Sequence, residues 1–192
     1  MPRRVWLVAL GWFVVWCGSA EGLELEGVAV PASKVVDGKR LVLNGAGVRT
    51  LNLAFIAEKV YVASFYSAKR LRTADEVMGY EGPMQLNFTF LRDVSGRQVA
   101  EAWRRQIAAS VTEVYDSFAR DRETFISFFP ALSRGDTQTV ELLGGKTRAR
   151  LNGRELGVVV GRDFQRSFLS MWFGRRAVQR ELKQALLGQG RQ

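Results

Sequence analysis

The chain has no histidine, one cysteine and four prolines in 192 residues. Without histidine, the usual general base near neutral pH and the commonest nitrogen ligand for metals are missing. The lone cysteine, Cys17, falls in an N-terminal segment treated separately below. The rest of the chain therefore has no disulfide, no thiol nucleophile and no thiolate metal site. Acidic residues are also in deficit, 19 against 28 lysines and arginines, for a net charge of +9. Where acids do gather, in "EGLELEG" and "TADE", they sit near a terminus and at a helix start. Neither resembles a calcium loop, so both read as solvated charges or helix caps, and no metal or cofactor is expected. A basic protein invites a nucleic-acid reading, but here the basic residues are scattered. They suit anionic lipid headgroups or acidic ligands better.

Long apolar runs are scarce, and the one that stands out is N-terminal. Arg3 and Arg4 precede Val5 to Trp16, and small residues follow at Gly18 and Ala20. Basic, apolar and small segments in that order read as a secretory signal peptide over residues 1–20, cleaved after Ala20. The apolar run is short for a bilayer span. The bulky Trp16 before Cys17 argues against lipoprotein processing. Residues 21–192 then form one domain, long enough for a real core. Export of a chain whose mature part lacks cysteine needs no oxidising compartment, which suits a bacterial periplasm.

Local patterns predict strands first. "LELEGVAV" (Leu23 to Val30) alternates as a short strand, and Asp37-Gly38 predicts a hairpin leading into Arg40 to Leu43. Gly45 and Gly47 permit positive φ or close backbone approach, and are expected to form the next turn. "VRTLNL", "KVYVASFY" and "MQLNFTFL" are further strands. "TADEVMGY" is a short helix capped by Thr73. Ser95 caps a longer one whose apolar stripe runs through Val99, Trp103, Ile107, Val111, Val114 and Phe118. "DRETFISFFPAL" is a helix that stops near Pro130. "TQTVELL" and a hairpin about Asn152-Gly153 return to strand. "RDFQRSFLSMWFG" and "RRAVQRELKQALLG" end the chain as helices, the second closed by Gly188. Trp103 and Trp172 read as core, and the basic face of the last segment as solvated. Strands, helices, strands and helices in that order predict an α+β fold, a mostly antiparallel sheet with helices packed on one face.

Arg49 is the residue that asks for a reason. "GAG" before it lacks the fuller glycine spacing of a nucleotide loop and lies between strands. On a strand, Arg49 shares a face with Leu51 and Leu53. A guanidinium beside two leucines either snorkels at the sheet edge or points inward. If inward, it needs an anionic or hydrogen-bonding partner, and no acid lies on the same short strand. A ligand carboxylate would satisfy it. On the next strand Tyr61 shares a face with Ala63 and Phe65. An arginine and a phenol on adjacent strands, in apolar surroundings, would suit a carboxylate with a greasy tail.

"LNGAGVRTL", "KVYVASFY", "LRDVSG" opening a helix, and "FLSMWFG" near the end together resemble the chalcone isomerase-like family in its bacterial, exported form. The resemblance runs from about Val35 to Gly188. It implies an open-faced β-sandwich, a large antiparallel sheet under a layer of helices, with the ligand cleft between them. In plant isomerases an arginine after the Gly-Ala-Gly turn helps polarise a chalcone, and Arg49 is the matching position. In non-catalytic fatty-acid-binding members that arginine and a tyrosine on the next strand grip the carboxylate, and Tyr61 resembles that tyrosine. Four other polar positions of the plant enzymes differ here. Tyr61 stands for a threonine, Val99 for a tyrosine, Gln106 for an asparagine and Met171 for a threonine.

The resemblance therefore implies binding of a small hydrophobic carboxylate, with Arg49 and Tyr61 at the headgroup and Phe65, Val99, Gln106 and Met171 along the cleft. Two rivals stay open. One is an isomerase or lyase on a conjugated carbonyl, with Arg49 and Tyr61 as the catalytic pair. The other is a structural or partner-binding envelope module with a vestigial cleft.

Overall fold

The structure is a computed structural model, and it describes residues 22–53, 56–110 and 119–190. The expected signal peptide, and the positions Val111, Val114 and Phe118 of the helical stripe, lie outside the described residues.

The first stretch is a hairpin where a single strand was expected. Strands β1 (Leu23–Leu25) and β2 (Val28–Val30) pair antiparallel about Glu26 and Gly27, at φ 52° and 75°. Strand β3 (Ser33–Val36) turns through Asp37 and Gly38, at φ 46° and 73°, into β4 (Lys39–Leu53). Positive φ at both turn positions is what an Asp-Gly pair accommodates.

The larger departure lies at Gly45 and Gly47, where the expected turn does not form. Strand β4 continues through both as one element of 15 residues, with an irregularity in its pairing at Asn44, and neither glycine has positive φ. What they supply is room. A Cβ on Gly45 would lie 2.8 Å from the Leu186 carbonyl oxygen and 2.9 Å from the Gly188 nitrogen. One on Gly47 would lie 2.7 Å from the Ala185 Cβ. Helix α5 (Arg180–Leu186) rests there directly on the strand backbone. Close approach, the other role expected of these glycines, is the one the fold uses.

Strands β5 (Ile56–Ser67), β6 (Met84–Phe90), β7 (Thr137–Leu143), β8 (Lys146–Leu151) and β9 (Arg154–Val160) complete a seven-stranded sheet. Its order is the chain order, β3 to β9, and every neighbouring pair is antiparallel. Asn152 and Gly153 form the predicted last turn, at φ 51° and 82°.

Two helices start where their caps predict. Helix α1 (Ala74–Gly79) opens on a reciprocal pair, with the Glu76 N–H donating to Thr73 Oγ1 and the Thr73 N–H donating to Glu76 Oε2. Ser95 and Gln98 repeat the arrangement at α2 (Gly96–Ser110). Helix α3 (Ala119–Ser127) ends short of Pro130. Helix α4 (Arg162–Phe173) follows the sheet. Helix α5 begins later than its basic run suggests, because the Val178 N–H donates to the Met171 carbonyl and folds the intervening residues back on α4. Among the described residues, no helix is long and apolar enough to cross a membrane.

Alternation along the strands sorts side chains between two faces. Ala63, Phe65, Leu86, Phe88 and Val140 face the helices and form the main core with Val99, Trp103, Ile107, Phe168, Met171 and Trp172. Burying each large apolar side chain there contributes about 1.5–3 kcal/mol. The opposite face carries a smaller cluster of Val30, Val36, Leu41, Val62 and Tyr66. Beside it runs a buried polar ladder, with Thr139 Oγ1 donating to Asn87 Oδ1 at 2.8 Å and Asn87 Nδ2 donating to Ser64 Oγ at 3.5 Å.

The sheet curls so far that its early turn meets a late strand. Asp37, between β3 and β4, accepts a hydrogen bond from Arg148 on β8 at 3.0 Å. Arg148 also bonds the buried Glu141 at 3.0 Å, and the Arg150 guanidinium lies 3.4 Å from the same carboxylate. A curled antiparallel sheet with helices on one side is the α+β arrangement expected from the sequence.

Candidate functional site

Strands β4 and β5 place Arg49 directly opposite Tyr61. Just beyond this pair the register slips, with Thr50 opposite Lys59, so that Val60 is an extra residue on β5. A bulge of this kind bends a strand and re-aims its side chains, and it is frequent beside functional sites. The two strands thus bring a guanidinium and a phenol together on the helix-facing side of the sheet.

Arg49 is half-buried, neither solvated on an outer surface nor neutralised by an internal acid. Its Nη1 donates to the carbonyl of Thr50 at 2.7 Å and to Oε1 of Gln179 at 3.3 Å. The same Gln179 oxygen accepts the Thr50 backbone N–H at 3.1 Å. Gln179 is the N-cap residue of α5, so the start of that helix is fastened to β4. Both partners of the guanidinium are neutral oxygens, and among the described residues no carboxylate lies within ion-pair distance of it. A partly desolvated cation with only neutral partners retains a strong preference for an anion.

Tyr61 stands edge-on to Phe88 and Phe90, with ring centroids 5.2 and 5.6 Å apart. Burial pushes its hydroxyl pKa above the ordinary tyrosine value, and the nearby Trp172 indole N–H and the Arg49 charge partly offset that rise. The hydroxyl therefore keeps its proton through neutral pH. Among the described residues it makes no hydrogen bond of regular geometry.

The apolar positions fall in one layer between sheet and helices. Phe65 is fully buried against Phe173, with centroids 4.9 Å apart. Met171 on α4 is fully buried, and Val99 on α2 nearly so. Gln106 takes a different orientation. Its Nε2 donates to the carbonyls of Met171 and Arg176, both at 3.4 Å, and so ties α2 to the end of α4. The structure thus joins Arg49 to Tyr61, sets Phe65, Val99 and Met171 in the adjoining core, and turns the Gln106 amide toward backbone.

Two residues near the pair escaped sequence reasoning. Gln179 lies 130 positions from Arg49, with no local signal to connect them. Trp172 was expected in the core and is there, but its position beside Tyr61 could be suspected only from its neighbour Met171 in "FLSMWFG". Chemically the site offers hydrogen-bond donors in an apolar setting. Among the described residues, no group of three or more His, Cys, Asp or Glu is placed to hold a metal ion.

Comparison with known proteins bears on the family and the fold. The model of a family described as chalcone isomerase-like matches residues 22–188. No curated protein sequence matches the chain. Among solved structures, a fatty-acid-binding protein from Arabidopsis thaliana superposes with a TM-score of 0.71 at 17% identity, over 87% of this chain and 96% of that one. At that identity the likeness is one of fold.

Proposed function

The chain belongs to the chalcone isomerase-like family, and from that premise we propose that it is a periplasmic protein that binds a small amphipathic carboxylate, such as a fatty acid, without transforming it. The observation that carries this reading is the Arg49–Tyr61 pair, set face to face across β4 and β5 with no carboxylate on the guanidinium. Arg49 forms the charge-assisted bond to the headgroup, and Tyr61 donates a second hydrogen bond. Phe65, Val99 and Met171 present the apolar layer toward the tail, and Gln106 holds α2 against α4 beside it. A charge-assisted bond is worth about 1.5–3 kcal/mol. Each buried methylene adds about 0.8 kcal/mol, so the tail supplies most of the affinity. Support for binding over turnover comes from Val99 and Met171. Orienting a substrate for a stereoselective ring closure takes several placed polar groups, and these two side chains offer none.

The test is native mass spectrometry of protein taken from the periplasm of its own cells, followed by extraction and identification of bound small molecules. A fatty acid that copurifies with the wild type and is lost from Arg49→Ala supports the proposal. Retention of the same ligand by Arg49→Ala removes Arg49 from the site. Absence of the protein from the periplasmic fraction refutes the location.

A further inference from the structure

Three features of Trp172 belong together. It is only 4% exposed, in the last turn of α4 between the buried Met171 and Phe173. Its Nε1–H has no hydrogen-bond partner among the described residues. Its ring packs on Phe88 at 4.9 Å, and Phe88 is the ring on which Tyr61 also rests, at 5.2 Å. An indole N–H is a donor only, and a buried one normally finds an acceptor. Leaving it unpaired costs free energy that a packed core does not otherwise recover. The protein's neighbouring polar groups do not relieve it. Arg49 is a donor, and the Tyr61 oxygen lies close by but outside hydrogen-bond geometry.

We infer that Trp172 is a third headgroup ligand, its indole N–H donating to an oxygen of the bound carboxylate beside Arg49 and Tyr61. This rests on the proposed function and specifies its chemistry. Arg49, Tyr61 and Trp172 all donate, so the site selects an ionised carboxylate, whose oxygens only accept. It disfavours a head that must itself donate, such as a primary amide or an ammonium. The aromatic group Phe88, Phe168 and Trp103 around Trp172, at 4.9, 4.9 and 5.7 Å, fixes the ring so that the N–H needs little ordering on binding.

The experiment uses dodecanoate and residues 21–192, whose only tryptophans are Trp103 and Trp172. In a ¹H–¹⁵N spectrum of the wild type two indole signals are expected, assigned through backbone connectivities, with the loss of one in Trp172→Phe as a check. On adding dodecanoate to the wild type, the Trp172 indole proton should move downfield and the Trp103 signal should stay nearly still. By calorimetry, Trp172→Phe should weaken dodecanoate binding about ten- to a hundredfold, the worth of one hydrogen bond to a charged group. The ratio of decanoate to dodecanoate dissociation constants should stay near its wild-type value, roughly fifteenfold for two methylenes. A purely structural role would change that ratio, because a reshaped core alters the tail's contacts. An unmoved Trp172 signal on saturation with dodecanoate overturns the inference and leaves the proposed function standing, even if the variant fails to fold. No binding of dodecanoate or decanoate by the wild type overturns both.

Discussion

Replacing Arg49 by Met separates a functional charge from a structural one. In the folded protein the guanidinium makes two hydrogen bonds, to Thr50 O at 2.7 Å and Gln179 Oε1 at 3.3 Å. Each contributes about 0.5–1.5 kcal/mol at most, and the longer one less. Against that, the substitution removes a half-buried cation with no ionic partner, a group whose desolvation costs free energy. Met retains much of the apolar stem and fills the space. The two effects offset, and ligand-free stability should change by no more than about 1 kcal/mol. For a domain of this size that is a melting shift within about 4 °C. Binding has no such compensation. Loss of a charge-assisted bond of about 1.5–3 kcal/mol weakens dodecanoate affinity by about 10- to 150-fold. Circular-dichroism melting reads the first quantity and isothermal titration calorimetry the second. A melting point lowered by 10 °C or more would show that Arg49 is structural. Unchanged affinity in a stable variant would refute its place at the headgroup.

Three further outcomes follow from the same geometry. Gly45→Ala places a Cβ against the backbone of Leu186 and Gly188, so α5 must shift and stability should fall by about 1–3 kcal/mol in urea denaturation. Among the described residues, Glu141→Ala leaves Arg148 and Arg150 with only the exposed carboxylates of Asp37 and Glu155 as ionic partners, and should cost about 3 kcal/mol in the same assay. The pH profile of dodecanoate binding should be flat near neutrality, falling in acid as the ligand carboxylate protonates. It should fall again only above the ordinary tyrosine range near pH 10, because burial holds the Tyr61 pKa above it; the donor is present below that pKa and lost as pH rises through it. Tyr61→Phe should be weaker throughout and should lack the alkaline fall, provided the protein remains folded there.

Much of the architecture was legible because it rests on short-range chemistry. Asp37-Gly38 and Asn152-Gly153 encode turns at fixed offsets, and Thr73 with Glu76 and Ser95 with Gln98 encode helix starts three residues apart. Gly45 and Gly47 misled for the opposite reason. Their purpose is set by α5, some 140 residues later, and a glycine kept for clearance looks locally like one kept for a turn. The site divided in the same way. Arg49 and Tyr61 could be paired because both lie on strands of readable phase, and the bulge at Val60 falls just beyond them. Gln179 and the Trp172 N–H depend on how α4 and α5 settle on the sheet, and no periodicity carries that information.

Because strand order equals chain order, the sheet can grow by accretion, each new strand zipping onto its predecessor across a short connection. Two steps are longer: β5 to β6 passes through the short α1, and the next interposes a larger excursion. Between β6 and β7 the chain leaves for residues 91–136, which carry α2 and α3, before it comes back. That junction is the seam between an early block, β3 to β6, and a late one, β7 to β9. Arg49, Tyr61 and Phe88 all belong to the early block, whereas Trp172 and Gln179 follow the late one. The polar floor of the site is therefore made before the long excursion, and its roof only after β9 has completed the sheet.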